Sequence, residues 1–142
     1  MALFKFKIFM KIFYTIILIF TINSCISQNN EVIITYKAFS RGSSIKIETD
    51  LDSISYHNNN EYKKLEINYP HQKEIKKILS QINIIELGTL KPPSTKSYSD
   101  AALQASIKIV TNKKTFVSQT FDHGNPPEEF KAIIEKLFKI VQ

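Results

Sequence analysis

The first twenty-five residues decide how much of this chain is available to fold. Lys5, Lys7 and Lys11 place positive charge near the start, and Ile12 to Ile22 follows as an uncharged, mostly apolar run. Asn23, Ser24 and Cys25 close the segment. A basic start, a short apolar core and small or polar residues at the end are the pattern of a secretory signal. The run is eleven residues long, well short of the ~20 that a spanning helix needs. Residues 1–24 are therefore expected to be a cleaved hydrophobic signal helix, residues 25–30 a polar tether, and residues 31–142 a single domain.

Ile22-Asn23-Ser24-Cys25 resembles the lipobox of bacterial lipoproteins: a branched aliphatic residue, a tolerant position, a small residue, then cysteine. The resemblance implies lipid, a diacylglycerol and palmitate-type acyl chains, on the Cys25 thiol. It also implies cleavage just before that residue and export to the cell envelope. The membrane would then be a partner through the lipid, with the outer membrane, on its periplasmic or surface side, the expected location. Cys25 is the only cysteine of the chain, so no intrachain disulfide can form even in an oxidising compartment.

Cleavage before Cys25 would leave 118 of the 142 residues, enough for one domain with a single core. Three of the nineteen basic residues fall in the signal, so the net charge drops from +6 to +3. The remaining lysines come in pairs (Lys63-Lys64, Lys76-Lys77, Lys113-Lys114) scattered among acids. Nucleic-acid binding wants a concentrated basic face, and this distribution argues against it.

Period-two alternation fills the first half. Val32, Ile34, Tyr36 and Ala38 share one face of a strand, Ile45, Ile47 and Thr49 one face of a second. Ile54 and Tyr56 carry a third strand, and Leu65, Ile67 and Tyr69 a fourth. Turns are expected at Ser40–Ser43, at Asp50–Asp52 and at Asn58–Asn60. The period then changes. Pro70 suits a first helical turn, and Ile75, Ile78, Leu79 and Ile82 predict an amphipathic helix of about three turns. Ile84, Ile85 and Leu87 form an apolar exit, and Gly88 to Ser99, with Pro92-Pro93, reads as a surface loop. Leu103, Ala105, Ile107 and Ile109 predict a fifth strand and Phe116 to Phe121 a sixth. A last helix is expected with Asn125 as N-cap, Pro126 at N1 and Glu128 at N3. Its apolar stripe is Phe130, Ile133, Ile134, Leu137, Phe138 and Val141.

The expected fold is α+β: an antiparallel sheet in the order ββββ-α-ββ-α, with both helices packed on one face. The arrangement is similar to small bacterial envelope lipoproteins of unassigned activity. Ser40-Arg41-Gly42-Ser43, Pro92-Pro93-Ser94-Thr95 with Asp100-Ala101-Ala102, and Phe121-Asp122-His123-Gly124-Asn125-Pro126-Pro127 carry the likeness. It implies family membership and no mechanism.

The residues singled out for binding are Arg41, Asp100, Asp122 and His123. Asp122-His123 places a carboxylate beside an imidazole ahead of a helix start, where a base, a metal ligand or an anion site can be built. Neighbours on a strand point to opposite faces, however, so adjacency does not make a dyad. Asp122 and Asn125 are expected to satisfy backbone donors in the turn, and His123 to pack or face water. Ser94, Thr95, Ser97 and Ser99 lie in the loop without a G-x-S-x-G frame. Arg41, the only arginine, can grip a carboxylate or phosphate or pair with a nearby acid. His57, His71 and His123 lack tight ligand spacing, so no metal and no cofactor are expected. The preferred reading is a membrane-anchored, non-enzymatic envelope lipoprotein that binds a protein or another envelope component. The alternative is a small hydrolase or metal-dependent enzyme centred on Asp122, His123 and Asp100.

Overall fold

The computed structural model describes residues 32–94 and 103–142. Cys25 and Asp100 lie outside the described residues, as do the signal and Thr95, Ser97 and Ser99 of the loop. Four strands come first: β1 (Val32–Ser40), β2 (Ser43–Thr49), β3 (Ser53–Asn58) and β4 (Tyr62–Glu66). Helix α1 (Tyr69–Gln81) and a 3-10 turn (Ile84–Glu86) follow. The chain continues through β5 (Gln104–Thr111), β6 (Lys114–Val117), the two-residue β7 (Phe121–Asp122) and helix α2 (Glu128–Val141). All pairings are antiparallel in the order β4-β3-β2-β1-β5-β6, with β7 also on β5.

The α+β class and the single antiparallel sheet match the expectation. The sheet's two faces follow from the strand alternation. Ile34, Tyr36 and Ala38 of β1 pair with Thr49, Ile47 and Ile45 of β2 and with Ile109, Ile107 and Ala105 of β5. These side chains share the face covered by the helices. Phe138 of α2 meets Tyr36 edge-on at a centroid distance of 5.3 Å, and Phe130 lies 5.5 Å from Phe121. Ile75 of α1 is fully buried in the same core as Phe130, Ile133 and Leu137. Lys136 of α2, itself buried, joins the helices through Glu74 and His71 of α1. No helix among the described residues is long and apolar enough to cross a membrane.

Four details depart from the expectation. The sixth strand is two pieces, because pairing with β5 shifts by one residue between Lys108↔Val117 and Ala105↔Phe121. That shift is a bulge. Ser118 sits in it: its N–H donates to the Ile107 carbonyl at 2.9 Å, and its Oγ accepts the Ile107 N–H at 3.0 Å. Tyr69 begins α1 rather than ending β4, because the Asn68 side chain caps the helix by accepting the His71 N–H at 3.2 Å. The 3-10 turn occupies what reads as an apolar exit. Helix α2 starts at Glu128 with Pro127 at the N-cap, so neither Asn125 nor Pro126 holds its predicted place and no side-chain cap bond forms.

Candidate functional site

Strand register sorts the turns into two ends. The Ser40–Ser43 turn, the β3–β4 turn, the start of β5 and the end of β7 share one end. Val32, where the described chain begins, lies at the other, with the β2–β3 and β5–β6 turns. Asn59 ties the two hairpin turns of the first end together. It donates to the Gly42 carbonyl at 2.5 Å and accepts from the Ser44 N–H and hydroxyl at 3.0 and 2.9 Å. Arg41 is exposed at this end and has no ion-pair partner among the described residues.

At the same end β7 runs into a tight turn. The Asn125 N–H donates to the Asp122 carbonyl at 2.9 Å, and Gly124 takes a φ of +85°. A positive φ at the third position is the type II geometry that glycine supplies without strain. The turn splits Asp122 from His123. Phe121 and His123 face the helices, and Asp122, between them, takes the opposite side of the strand. The buried Asp122 carboxylate accepts the hydroxyl of Ser94, whose oxygen in turn accepts from the Asn125 side-chain amide at 2.9 Å. Asn125 therefore braces the loop instead of capping the helix. The loop's approach is close: Gly88 lies against the β6 backbone, where an added Cβ would stand 3.2 Å from the Val117 carbonyl oxygen.

His123 takes a different partner. Its Nδ1 lies 2.5 Å from the phenolic oxygen of Tyr36, eighty-seven residues away and 1% exposed. Burial pushes the Tyr36 phenol well above its ordinary range and holds the imidazole of His123 below its own. Both groups are thus neutral near pH 7. The imidazole nitrogen is the phenol's one partner among the described residues, and we assign the phenol as donor because its buried proton then has an acceptor. The imidazole proton then sits on Nε2. His123 is therefore partly exposed in the cleft and hydrogen-bonded, rather than merely packed. Its second ring nitrogen is a donor held by the far side of the ring.

Tyr36, Phe121, Phe138 and His123 form the walls of a cleft of about 310 Å³, with buried Pro126 and Ile134 below. His123 and Phe138 lie 5.9 Å apart, and Tyr36 and His123 6.0 Å. Gly124, Lys131, Glu135 and Gln142 form the exposed rim. The cleft can hold an apolar body and offer it one fixed N–H. Among the described residues no Ser, His and carboxylate align in one relay, because Ser94 and Asp122 bond each other on the opposite side from His123. Among the described residues no three His, Cys, Asp or Glu side chains gather as a metal site would require. Tyr36 and Phe138 were absent from the sequence candidates. Their alternation and helical spacing mark them only as core. No protein-family model matches the chain, and no curated protein matches it in sequence.

Proposed function

We propose that the chain is an exported lipoprotein, held to a bacterial membrane by lipid on Cys25, whose domain is a non-enzymatic binding module for an envelope component. The observation that carries this reading is the position of Val32, the first residue of β1, relative to the cleft. Strand β1 opens at Val32, seven residues after Cys25, at the end of the sheet opposite the Asp122-His123 turn. Seven residues reach at most about 25 Å from the lipid. The nine residues of β1 then carry the chain about 30 Å toward the other end. A lipid anchor on Cys25 would keep Val32 near the bilayer and turn the cleft end outward, toward a partner protein or another envelope component.

The chemistry at that end favours binding over turnover. Asp122 is engaged by Ser94 and His123 by Tyr36, so a reaction would have to break two existing contacts first. Mass spectrometry of the mature N-terminus tests the anchor. The expected product begins at a lipidated Cys25, and Cys25→Ser should move the protein to the soluble fraction. A free thiol on Cys25, or a mature chain starting elsewhere, would sink the reading. Stoichiometric metal in the purified protein, lost on His123→Phe, would instead favour the hydrolase or metal-enzyme reading.

A further inference from the structure

We propose that the cleft between β1, β7 and α2 binds a small uncharged molecule with an aromatic or branched apolar body and one carbonyl acceptor, received by Nε2–H of His123. The proposal rests on reading the domain as a binding module and names the ligand class for its cleft. Three features of the cleft converge on it. The first is size. About 310 Å³ falls at the lower limit of small-molecule sites, which fits a single ring or a short branched chain.

The second is the wall. Phe138 presents its ring to the cleft, Tyr36 and Phe121 back it at 1% exposure each, and Pro126 and Ile134 add no polar side chain. Aromatic rings favour edge-to-face or offset contact at about 4.5–7 Å between centroids. Tyr36 and Phe138 already use that geometry with each other, so both are fixed in place before a ligand arrives.

The third is the polar group. Donation from the Tyr36 phenol pins the His123 tautomer and the ring orientation. Nε2–H has no hydrogen-bond partner among the described residues. An acceptor placed there satisfies it, and a cation does not. The rim carries one cation and one anion, Lys131 and Glu135, and Lys131 is already 3.6 Å from Glu128. With Lys131 shared with Glu128 and Glu135 beside it, the rim has no free cation to attract a carboxylate, which favours an uncharged carbonyl over an anion.

The test compares benzamide with benzylammonium. They share a ring, but benzamide offers a carbonyl and benzylammonium offers only a cation that Glu135 would attract. The full chain is held in lipid nanodiscs, and the Ile134 methyl signal is followed by NMR. Benzamide should shift it saturably, with a dissociation constant of about 1 mM. Benzylammonium should bind about tenfold more weakly, the scale of one lost hydrogen bond. In folded His123→Phe the benzamide affinity should fall by the same factor. The ligand comparison on the native chain stands even if that variant does not fold. No saturable benzamide shift, benzylammonium binding equal to or tighter than benzamide, or unchanged benzamide affinity in folded His123→Phe would each overturn the proposal. Conversion of benzamide to benzoate in the same tube would leave the cleft assignment standing and sink the non-enzymatic reading instead.

Discussion

Tyr36 and His123 depend on each other unequally. Tyr36 is buried at 1% exposure, whereas His123 is only partly covered and can take water in place of a lost partner. His123→Phe keeps an aromatic ring but strands the phenol proton, which should cost about 1–3 kcal/mol. Tyr36→Phe removes only a donor to the exposed side and should cost less than about 1 kcal/mol. Denaturant titration measures both, and equal losses would show that a stranded phenol proton adds no cost of its own. The same titrations carry a pH signature. Burial lowers the His123 value in the folded state, so the unfolded chain takes up its proton first. Stability should therefore decline as pH drops below 6.5, the ordinary value, and level off once the folded value is passed. His123→Phe should erase this decline. Glu48, lowered chiefly by its hydrogen bond with Lys46, and Asp50, lowered chiefly by the Ser53 backbone, act in a separate window. Their stabilisation is present above the ordinary values of 4.5 and 3.8, and is lost only as pH falls through their lower folded values.

Elements follow the same logic of burial at larger spacing. The stripe on α2 holds the helix to the sheet, but its two phenylalanines are not equivalent: Phe130 is fully buried, and Phe138 is half-covered where it lines the cleft. Phe130→Ala should cost about 3–5 kcal/mol and Phe138→Ala clearly less. A reversed order in chemical denaturation would mean that the cleft wall, not the sheet-facing side, anchors the helix. Much of this layer was legible in sequence. Period two marked every core residue of β1, β2 and β5, and period 3.6 marked both helices, because each pattern reports one buried face. The failures share a cause. Ser118-Gln119-Thr120 continues an acceptable strand pattern, and only the Ser118 hydroxyl contact with the Ile107 N–H reveals a bulge. Alternation runs on through Tyr69, though Asn68 has already capped α1. Asn125 has the chemistry of a cap, but Pro126 and Pro127 delay the helix and Ser94 takes its amide. Lys136 sits in the stripe's own region and is buried through its link to Glu74, a pairing between helices that no local pattern carries. The site was legible only in part for the same reason. His123 stood out by its neighbours along the chain, whereas Tyr36 reaches it across eighty-seven residues.

For the whole molecule, the arrangement of strands sets where the fold yields first. Strand β1 pairs on both sides, with β2 and β5, and carries the fully buried Ile34, Tyr36 and Ala38. Strand β5 is likewise paired on both sides and buries Ala105, Ile107 and Ile109. Strand β4 has one neighbour, and all five of its residues are exposed. Opening β4 costs only its ladder bonds to β3 and little apolar burial, whereas opening β1 exposes the centre of the core. Amide hydrogen exchange should therefore be slowest at Tyr36, Ala38, Ile107 and Ile109, with a free energy close to that of global unfolding. The β4 amides should exchange by local fraying, well before any loss of the Tyr36–His123 contact. This order matters for the cleft. Its walls on β1, β7 and α2 draw on the slowest part of the sheet, so it should persist while the opposite edge breathes. Native-state exchange at rising denaturant separates the two modes, since local opening is insensitive to denaturant and global opening is not. Equal protection and equal denaturant dependence in β4 and β1 would show that the sheet opens as one unit and would remove the basis for a rigid cleft beside a mobile edge.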